Sequence, residues 1–287
     1  MRLAIASMAA IAALAGAGAA NAAAVELKDA VARVTVVPED RADVKVEVVT
    51  ANPKLPIEVR NFAGTTVIDG GLGHRIGDCH HRPDRPVARV RGVGEVEGDA
   101  IPQLVVRTPR AVVISSNGAV FGAVGRSASL ELHDSGCSAW TVADVAGDAK
   151  ILESGAGSVR LGAVGRLDLR LSGAADVHAV RIRQGMDTTL SGAGRVLVDD
   201  FAGPLDARVS GIGQVRVTGG HATTVRASVS GMGGVEFGGV AETLDARISG
   251  IGGIRVKQVT GAATRSVSGA GHVTIDEGPG AASPARR

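Results

Sequence analysis

Aromatic side chains are scarce in this sequence. They make up 2% of the 287 residues, with four Phe, one Trp and no Tyr. A saccharide platform of stacked rings therefore has few candidate residues, and a packed interior must come from Val, Ile, Leu and Ala. An excess of charge is also missing, because the formal net charge is only +2. This balance gives no indication of a nucleic-acid partner.

Long apolar runs are absent beyond the N-terminus. Arg2 precedes an Ala-rich apolar run and the small-x-small pattern Ala20-Asn21-Ala22, which is typical of a secretory signal peptide. We expect residues 1–22 to be removed by cleavage after Ala22, with Ala24 as the alternative site, and the mature chain to have no transmembrane segment. The sequence thus predicts export to the periplasm or the outer surface of a bacterium.

Cysteine is nearly absent, with Cys79 and Cys137 as its two occurrences. Exported proteins with two cysteines tend to pair them, so a Cys79–Cys137 disulfide is expected. The alternative is that Cys137 remains a buried thiol, because it stands at an apolar position of a repeat.

Glycine, by contrast, is abundant, and many of its 41 copies follow serine at a regular interval. The Ser-Gly pairs are spaced by 18 to 20 residues, and their serines are Ser135, Ser154, Ser172, Ser191, Ser210, Ser230, Ser249 and Ser268. Residues one and five before each Ser, and five and seven after it, are mostly apolar. Trp140 stands at plus five and Phe237 at plus seven, so both are expected inside. This alternation predicts a half-buried strand on each side of the Ser-Gly turn.

A unit of about 19 residues is too short to bury its own apolar face, so neighbouring units must stack. Similar residues recur at the same position of every repeat, as expected if the units stack in parallel and in register. We therefore predict an all-β protein, a right-handed parallel β-helix (solenoid) with roughly 19-residue coils. The regular repeats span 113–277, an irregular N-terminal β region of first coils and cap spans 23–112, and a disordered tail spans 278–287. Within the N-terminal region, Gly70–Pro86 is predicted to be a loop.

The strings LDARVSGIG at 205–213 and LDARISGIG at 244–252 show the repeat most clearly. The residue two after Ser is never polar, so Ile212 and Ile251 are predicted to point inward. The glycine of Ser-Gly is expected to supply a backbone conformation closed to other residues.

Charged residues recur at outward positions and predict a ladder of ion pairs. Aspartates stand four residues before Ser, at Asp168, Asp187, Asp206 and Asp245. Arginines stand two residues before Ser, at Arg170, Arg208 and Arg247. A calcium site is the alternative interpretation. A second row six after Ser, formed by Arg160, Arg216 and Arg255, could face an anionic glycan or lipid headgroup.

His74, Cys79, His80 and His81 lie within eight residues and are of metal-ligand type. Their spacing fits no closed zinc arrangement, so a solvated loop is favoured, with metal binding as the alternative. No metal and no cofactor is predicted.

The strings SGAGRVLV, SGIGQVRV, SGMGGVEF and SGIGGIRV resemble the autotransporter adhesin head GIN domain family of the bacterial envelope, from about Ser127 to Glu277. The resemblance implies a right-handed β-helix and supplies no catalytic residues.

These patterns favour a non-enzymatic protein. No His stands at a fixed offset from the repeated serines, as a nucleophile would require, and no strand-loop-helix context supports a phosphate loop. We predict an exported binding or adhesion module of unknown ligand, such as an envelope glycan or protein, that is a monomer or weak oligomer. The alternatives are a structural or self-assembly module and, third, a carbohydrate-active enzyme.

Overall fold

The computed structural model describes residues 23–82 and 85–278. It is 71% strand and 2% helix, and it forms a β-solenoid of about nine turns with a spacing of about 19 residues. The predicted all-β solenoid is thereby confirmed. The predicted signal peptide and residues 279–287 of the predicted tail lie outside the described residues. In the part of the chain that is described, no helix has the length and apolar character needed to span a bilayer.

The described residues contain 21 strands, numbered here in chain order. The N-terminal strands are β1 (Ala24–Glu39), β2 (Lys45–Thr50), β3 (Glu58–Phe62), β4 (Thr65–Asp69), β5 (Ile76–Arg82), β6 (Arg85–Val90), β7 (Gly94–Glu97) and β8 (Gln103–Pro109). The coil strands are β9 (Ala111–Val124), β10 (Ser129–Asp134), β11 (Ala139–Val142), β12 (Val145–Glu153), β13 (Ser158–Leu171), β14 (Asp176–Ile182), β15 (Met186–Leu190), β16 (Arg195–Val209), β17 (Gln214–Val229), β18 (Gly234–Ile248), β19 (Gly253–Val259), β20 (Ala263–Val267) and β21 (His272–Glu277). Short 3-10 turns lie at Gly73–Arg75 and Gly98–Ala100.

Each coil pairs in parallel with the next, so equivalent residues stack in register. Val196, Val215, Val235 and Ile254, for example, stand above one another in four successive coils. These plus-five residues are buried, together with the plus-seven residues. Trp140 and Phe237 lie in this core as predicted. The interior is therefore a continuous column of mainly aliphatic side chains.

The residue two after Ser points outward, so its predicted inward orientation was wrong. Ile212, Met232 and Ile251 are 57%, 64% and 59% exposed. The alternation of the strands does not continue through the turn. The glycine that follows each of them, such as Gly213, turns inward instead and is buried.

The glycine of Ser-Gly is required for close stacking and not for an unusual backbone conformation. None of the repeated Ser-Gly glycines has positive φ, so the predicted reason was wrong. A Cβ atom built on Gly211 would lie 2.1 Å from the carbonyl oxygen of Gly192 in the preceding coil, and one on Gly250 would lie 2.2 Å from that of Gly231. Only a residue without a side chain lets the turns approach this closely.

The serine of Ser-Gly stabilises the same turn through hydrogen bonds. The Oγ of Ser210 donates to the carbonyl oxygen of Leu190 at 3.3 Å, and the backbone N–H of Ser210 donates to that oxygen at 2.8 Å. Ser191 makes the same contact with Leu171. The repeated dipeptide is thus a structural element that joins one coil to the preceding coil.

The first coil of the solenoid is β1, and it is separated from its neighbour β9 by a long insertion. The two strands pair in parallel from Ala24 with Val113 onward. On its other side β1 pairs in parallel with β4 and β8, which together make one further layer. Strands β3 and β2 pair antiparallel with β4 and β8 and end the stack.

The segment Gly70–Pro86 is not a loop, and that prediction was wrong. It contributes β5 and the start of β6 to a three-stranded antiparallel sheet with β7. This sheet packs on the outer surface of the first coils in a second apolar cluster that includes Leu72, Val90 and Phe121. The strands form because their apolar partners lie on distant coils, despite the dense Gly, Pro and charge.

Candidate functional site

A disulfide joins Cys79 to Cys137, with the two Cα atoms 5.8 Å apart. Cys79 lies in β5, and Cys137 occupies the outward plus-two position of the turn between β10 and β11. The bond therefore ties the added sheet to the outside of an early coil.

The three histidines of the proposed metal loop are distributed along this region. His74 lies exposed in the 3-10 turn, while His80 and His81 belong to β5 and pair with Val87 and Pro86. The Cys79 sulfur is bound in the disulfide and so is not a thiolate ligand. In the described portion, no group of three or more His, Cys, Asp or Glu is arranged to hold a metal.

The predicted ladder of Asp and Arg is present on one outer face. Arg208 lies 2.8 Å from Asp206 in its own coil and 3.5 Å from Asp187 in the preceding coil. Arg247 makes the equivalent contact with Asp245 at 2.7 Å. Such exposed pairs contribute about 0–1 kcal/mol each, so the ladder mainly relieves the repulsion between stacked like charges.

The second arginine row is interrupted by carboxylates. Arg216 lies 2.6 Å from Glu236, and Arg255 lies 3.1 Å from Asp276. Arg160 lines a separate depression next to Cys137. The structure therefore places Arg216 and Arg255 together and Arg160 apart from them.

Ile212, Met232 and Ile251 form what we call the apolar ridge. They occupy one outward position in three successive coils, whose turns are joined by hydrogen bonds such as Ile251 N–H to the Gly231 carbonyl at 3.1 Å. Earlier coils carry alanine at this position, at Ala156, Ala174 and Ala193. At this position of the repeat, large exposed apolar side chains thus occur in these three coils.

A groove of about 300 Å³ runs beside the apolar ridge, and we call it the ridge groove. Met232 and Ile251 form one wall, and Arg216, Glu236 and Arg255 form the other. Its floor contains Gly234 and Gly253, which stand in register between Gln214 and His272. Other coils place side chains at this plus-four position, at Ser158, Asp176 and Arg195. The two glycines therefore open the groove.

Residues 182–279 match the model of the family described as "Putative auto-transporter adhesin, head GIN domain". The match confirms the resemblance over these residues, which include the whole apolar ridge and the ridge groove. The chain is also similar to a solved structure titled "Putative lipid binding protein" from Parabacteroides distasonis ATCC 8503, with a TM-score of 0.53 and 14% identity. That similarity covers 88% of this chain and 92% of the other, and it shows the fold alone. No curated protein matches the chain.

Outside the segment matched by the head GIN model, two acidic residues occupy core positions. Asp134 and Glu153 are paired in register in adjacent coils and are 2% and 1% exposed. Asp134 Oδ1 accepts hydrogen bonds from the hydroxyls of Ser116 and Ser138, and Glu153 Oε1 accepts one from the Gly155 N–H at 3.0 Å. Asp134 Oδ2 and Glu153 Oε2 meet no amide, hydroxyl or cationic donor.

We infer that these two carboxyl groups share a proton. Burial raises the pKa of Glu153 to about 8, and the charge of Asp134 adds to the shift. Burial also raises the pKa of Asp134, whereas hydrogen bonds from Ser116 and Ser138 lower it. With its pKa at about 8, Glu153 is protonated at neutral pH and can donate a hydrogen bond to the Asp134 carboxylate.

A cleft of about 510 Å³ is lined by Asp134 and Glu153 and by several repeat serines, Ser135, Ser154, Ser172 and Ser191. The orphan oxygens of Asp134 and Glu153 expose essentially no surface, so they do not reach a molecule in the cleft. The pair was missed in the sequence, although a signal existed. The residue before Ser is apolar from Leu171 onward but acidic in the two earlier copies.

Proposed function

We propose that the chain is an exported, non-enzymatic binding module of the bacterial envelope that contacts its ligand through the apolar ridge. The apolar ridge carries the proposal, because three large apolar side chains stand exposed in single file within the segment that matches the head GIN model. Exposed apolar patches with polar borders are typical of interaction sites. The adhesin in the family's description supports a surface or envelope location.

The geometry of the polar groups supports a non-enzymatic role. Several of the repeated serines donate to backbone carbonyls, as Ser191 does to Leu171 and Ser210 does to Leu190. Asp134 and Glu153, whose pKa values are raised, keep one carboxyl oxygen each buried without a partner. A hydrolase needs convergent polar groups that reach its substrate, and neither set meets that requirement.

Vesicles and glycans are the probes for this proposal. The neighbour's title mentions lipid binding, so flotation with lipid vesicles comes first and a glycan array second. We expect the wild-type chain to bind at least one probe and the triple variant Ile212→Ser, Met232→Ser, Ile251→Ser to bind at least tenfold more weakly. Val180→Ser is the control, because Val180 is similarly exposed but lies outside the apolar ridge. Blank results with both probes, or unchanged binding by the triple variant, would overturn the proposal.

Self-assembly is the second candidate function, and the C-terminal end of the solenoid is the observation that favours it. Within the described ranges, β20 and β21 are paired on one side only, with β18 and β19. Unpaired strand edges are templates for pairing with another chain.

A further inference from the structure

We propose that the ridge groove binds a single amphiphile, with its apolar chain along Met232 and Ile251 and an anionic phosphate or carboxylate head at Arg216 and Arg255. The inference rests on the proposed function and names the ligand class for the same face of the molecule.

The ridge groove exists because two side chains are missing. Neither Gly234 nor Gly253 has positive φ, so backbone conformation does not demand glycine at either position. A Cβ atom on Gly253 would first meet the ring of His272 at 3.2 Å, and one on Gly234 would meet the Gly253 carbonyl at 3.2 Å. These contacts are far milder than the roughly 2 Å clashes at the Ser-Gly turns. The two glycines therefore keep space open on the outer surface.

Side chains close the ridge groove at both ends. Gln214 stands at the same plus-four position in the preceding coil, and His272 stands there in the following coil. The part of a ligand that lies in the ridge groove is thus limited to the length of about two coils, or roughly 10 Å at the usual strand spacing. This length suits a small molecule better than an extended polymer.

The apolar wall is suited to a hydrocarbon chain. Met232 and Ile251 are more than half exposed, so covering them removes apolar surface from water. Methionine is flexible and polarizable and adapts to chains of different shape. Among the described residues that line the ridge groove there is no Phe or Trp, so this wall has no such ring on which a sugar could stack.

The opposite wall is suited to an anionic head group. Arg216 uses Nη2 for Glu236, and Arg255 uses Nε and Nη2 for Asp276. Both side chains are about 60% exposed, at 59% and 62%, so neither guanidinium is enclosed by its ion pair. Exposed ion pairs are weak, so a phosphate or carboxylate can accept hydrogen bonds from these guanidinium groups with little loss of ion-pair energy.

A second copy of the chain does not fit this face as well. The apolar ridge consists of three side chains, whereas a stable protein interface uses about 20–30 residues and about 800 Å² from each partner. A concave site of about 300 Å³ lies instead at the small end of the range for ligand pockets.

The experiment measures binding of oleate, held below its micelle concentration, and of phosphatidylcholine vesicles with and without phosphatidylglycerol. Gly253→Gln fills the ridge groove, and the double variant Arg216→Gln, Arg255→Gln removes the head contact. Ser158→Gln is the control for the first, since Ser158 holds the same position in an earlier coil. Arg181→Gln is the control for the second, because Arg181 forms a similar exposed pair with Asp200 at 2.7 Å.

We expect both groove variants to bind oleate at least tenfold more weakly than the wild type, with both controls unchanged. Binding of oleate shows that a free amphiphile suffices. Groove-dependent binding of vesicles alone assigns the head group to a membrane lipid and still supports the site. The double arginine variant changes only exposed side chains, so it decides the question if Gly253→Gln fails to fold.

The outcomes also separate this inference from the proposed function. If the groove variants bind oleate and vesicles like the wild type while the triple ridge variant does not bind, the ridge groove is not the site and the binding module stands. If the wild type binds only glycans, the amphiphile is again excluded and the proposed function survives. If no probe binds, both proposals fail.

Discussion

Asp134 and Glu153 occupy core positions that leucine, valine or isoleucine holds in later coils. Placing two negative charges side by side in an apolar interior is costly, so one proton is retained. The folded-state pKa of Glu153, about 8, lies above its ordinary value of 4.5. The stability linked to this group is therefore fully present below about pH 4.5 and is lost as the pH rises through 8.

We expect the wild-type chain to lose roughly 2 kcal/mol or more of unfolding free energy between pH 5 and pH 9. Glu153→Gln should flatten this dependence, because the amide N–H₂ can donate to Asp134 at every pH. Thermal unfolding across this pH range measures both effects.

Glu131→Gln is the control for this prediction. Glu131 is partly exposed, and the hydrogen bond from Lys150 lowers its pKa, so its substitution should leave the loss of stability at high pH in place. A wild-type melting temperature that is constant from pH 5 to pH 9 would contradict the shared proton.

At the scale of the strand and its turn, stability depends on how closely successive turns stack. Gly211 lies so near Gly192 that any side chain would displace one coil from the next. Because the same contact recurs from coil to coil, a displacement at one turn also disturbs the register of the strands on either side.

Gly211→Ala is expected to lower the free energy of unfolding by about 1–3 kcal/mol, since overpacking forces backbone shifts. Gly219→Ala is the matched control in the adjoining strand. Its Cβ would meet no atom closer than 3.9 Å, and its φ is not positive, so we expect no loss of stability. Urea unfolding of the two variants tests the difference, and equal effects would argue against the stacking explanation.

The repeat spacing and the alternation of apolar residues were enough to predict the coil strands and their buried faces. Both follow from local rules, as at Leu205 and Val209, which are buried. The outward turn at Ile212 was not predictable from alternation, because the turn interrupts the strand period. The sheet of β5, β6 and β7 was not predictable either, since it depends on contacts with Phe121, which is distant in sequence.

The candidate site was only partly accessible from the sequence. The arginine row containing Arg216 and Arg255 was recognised from its spacing, but the apolar ridge was assigned to the core. The ridge groove depends on two glycines lying in register between Gln214 and His272. That arrangement becomes visible only when the coils are stacked.

At the scale of the whole molecule, the two ends of the solenoid differ. The N-terminal end is finished by β2 and β3, which run antiparallel to their neighbours. At the C-terminal end, Arg265 stands in register with Ala246, and the equivalent residues of the preceding coils, Ala207 and Ala227, are also buried. Arg265 is exposed at this end, and a long charged side chain in place of the shared alanine opposes the addition of another layer.

Arg265→Ala should therefore increase self-association, because it restores the small apolar residue that stacking coils share. Sedimentation velocity at several concentrations measures the effect, with Arg181→Ala as a control on the flank of the solenoid. We expect a concentration-dependent rise in mean sedimentation coefficient for Arg265→Ala alone. Strong association of the wild type would instead favour the assembly function.

The insertion between β1 and β9 also affects the order in which the chain folds. Neighbouring coils in the C-terminal part bring together residues about 20 apart, such as Leu205 and Val225, whereas β1 must wait for Val113 to meet Ala24. Long loops close at a greater entropic cost and form later. Nucleation is therefore expected among the C-terminal coils, with growth toward the N-terminus. Strand β1, the first in the described part of the chain, is therefore expected to be among the last to pair.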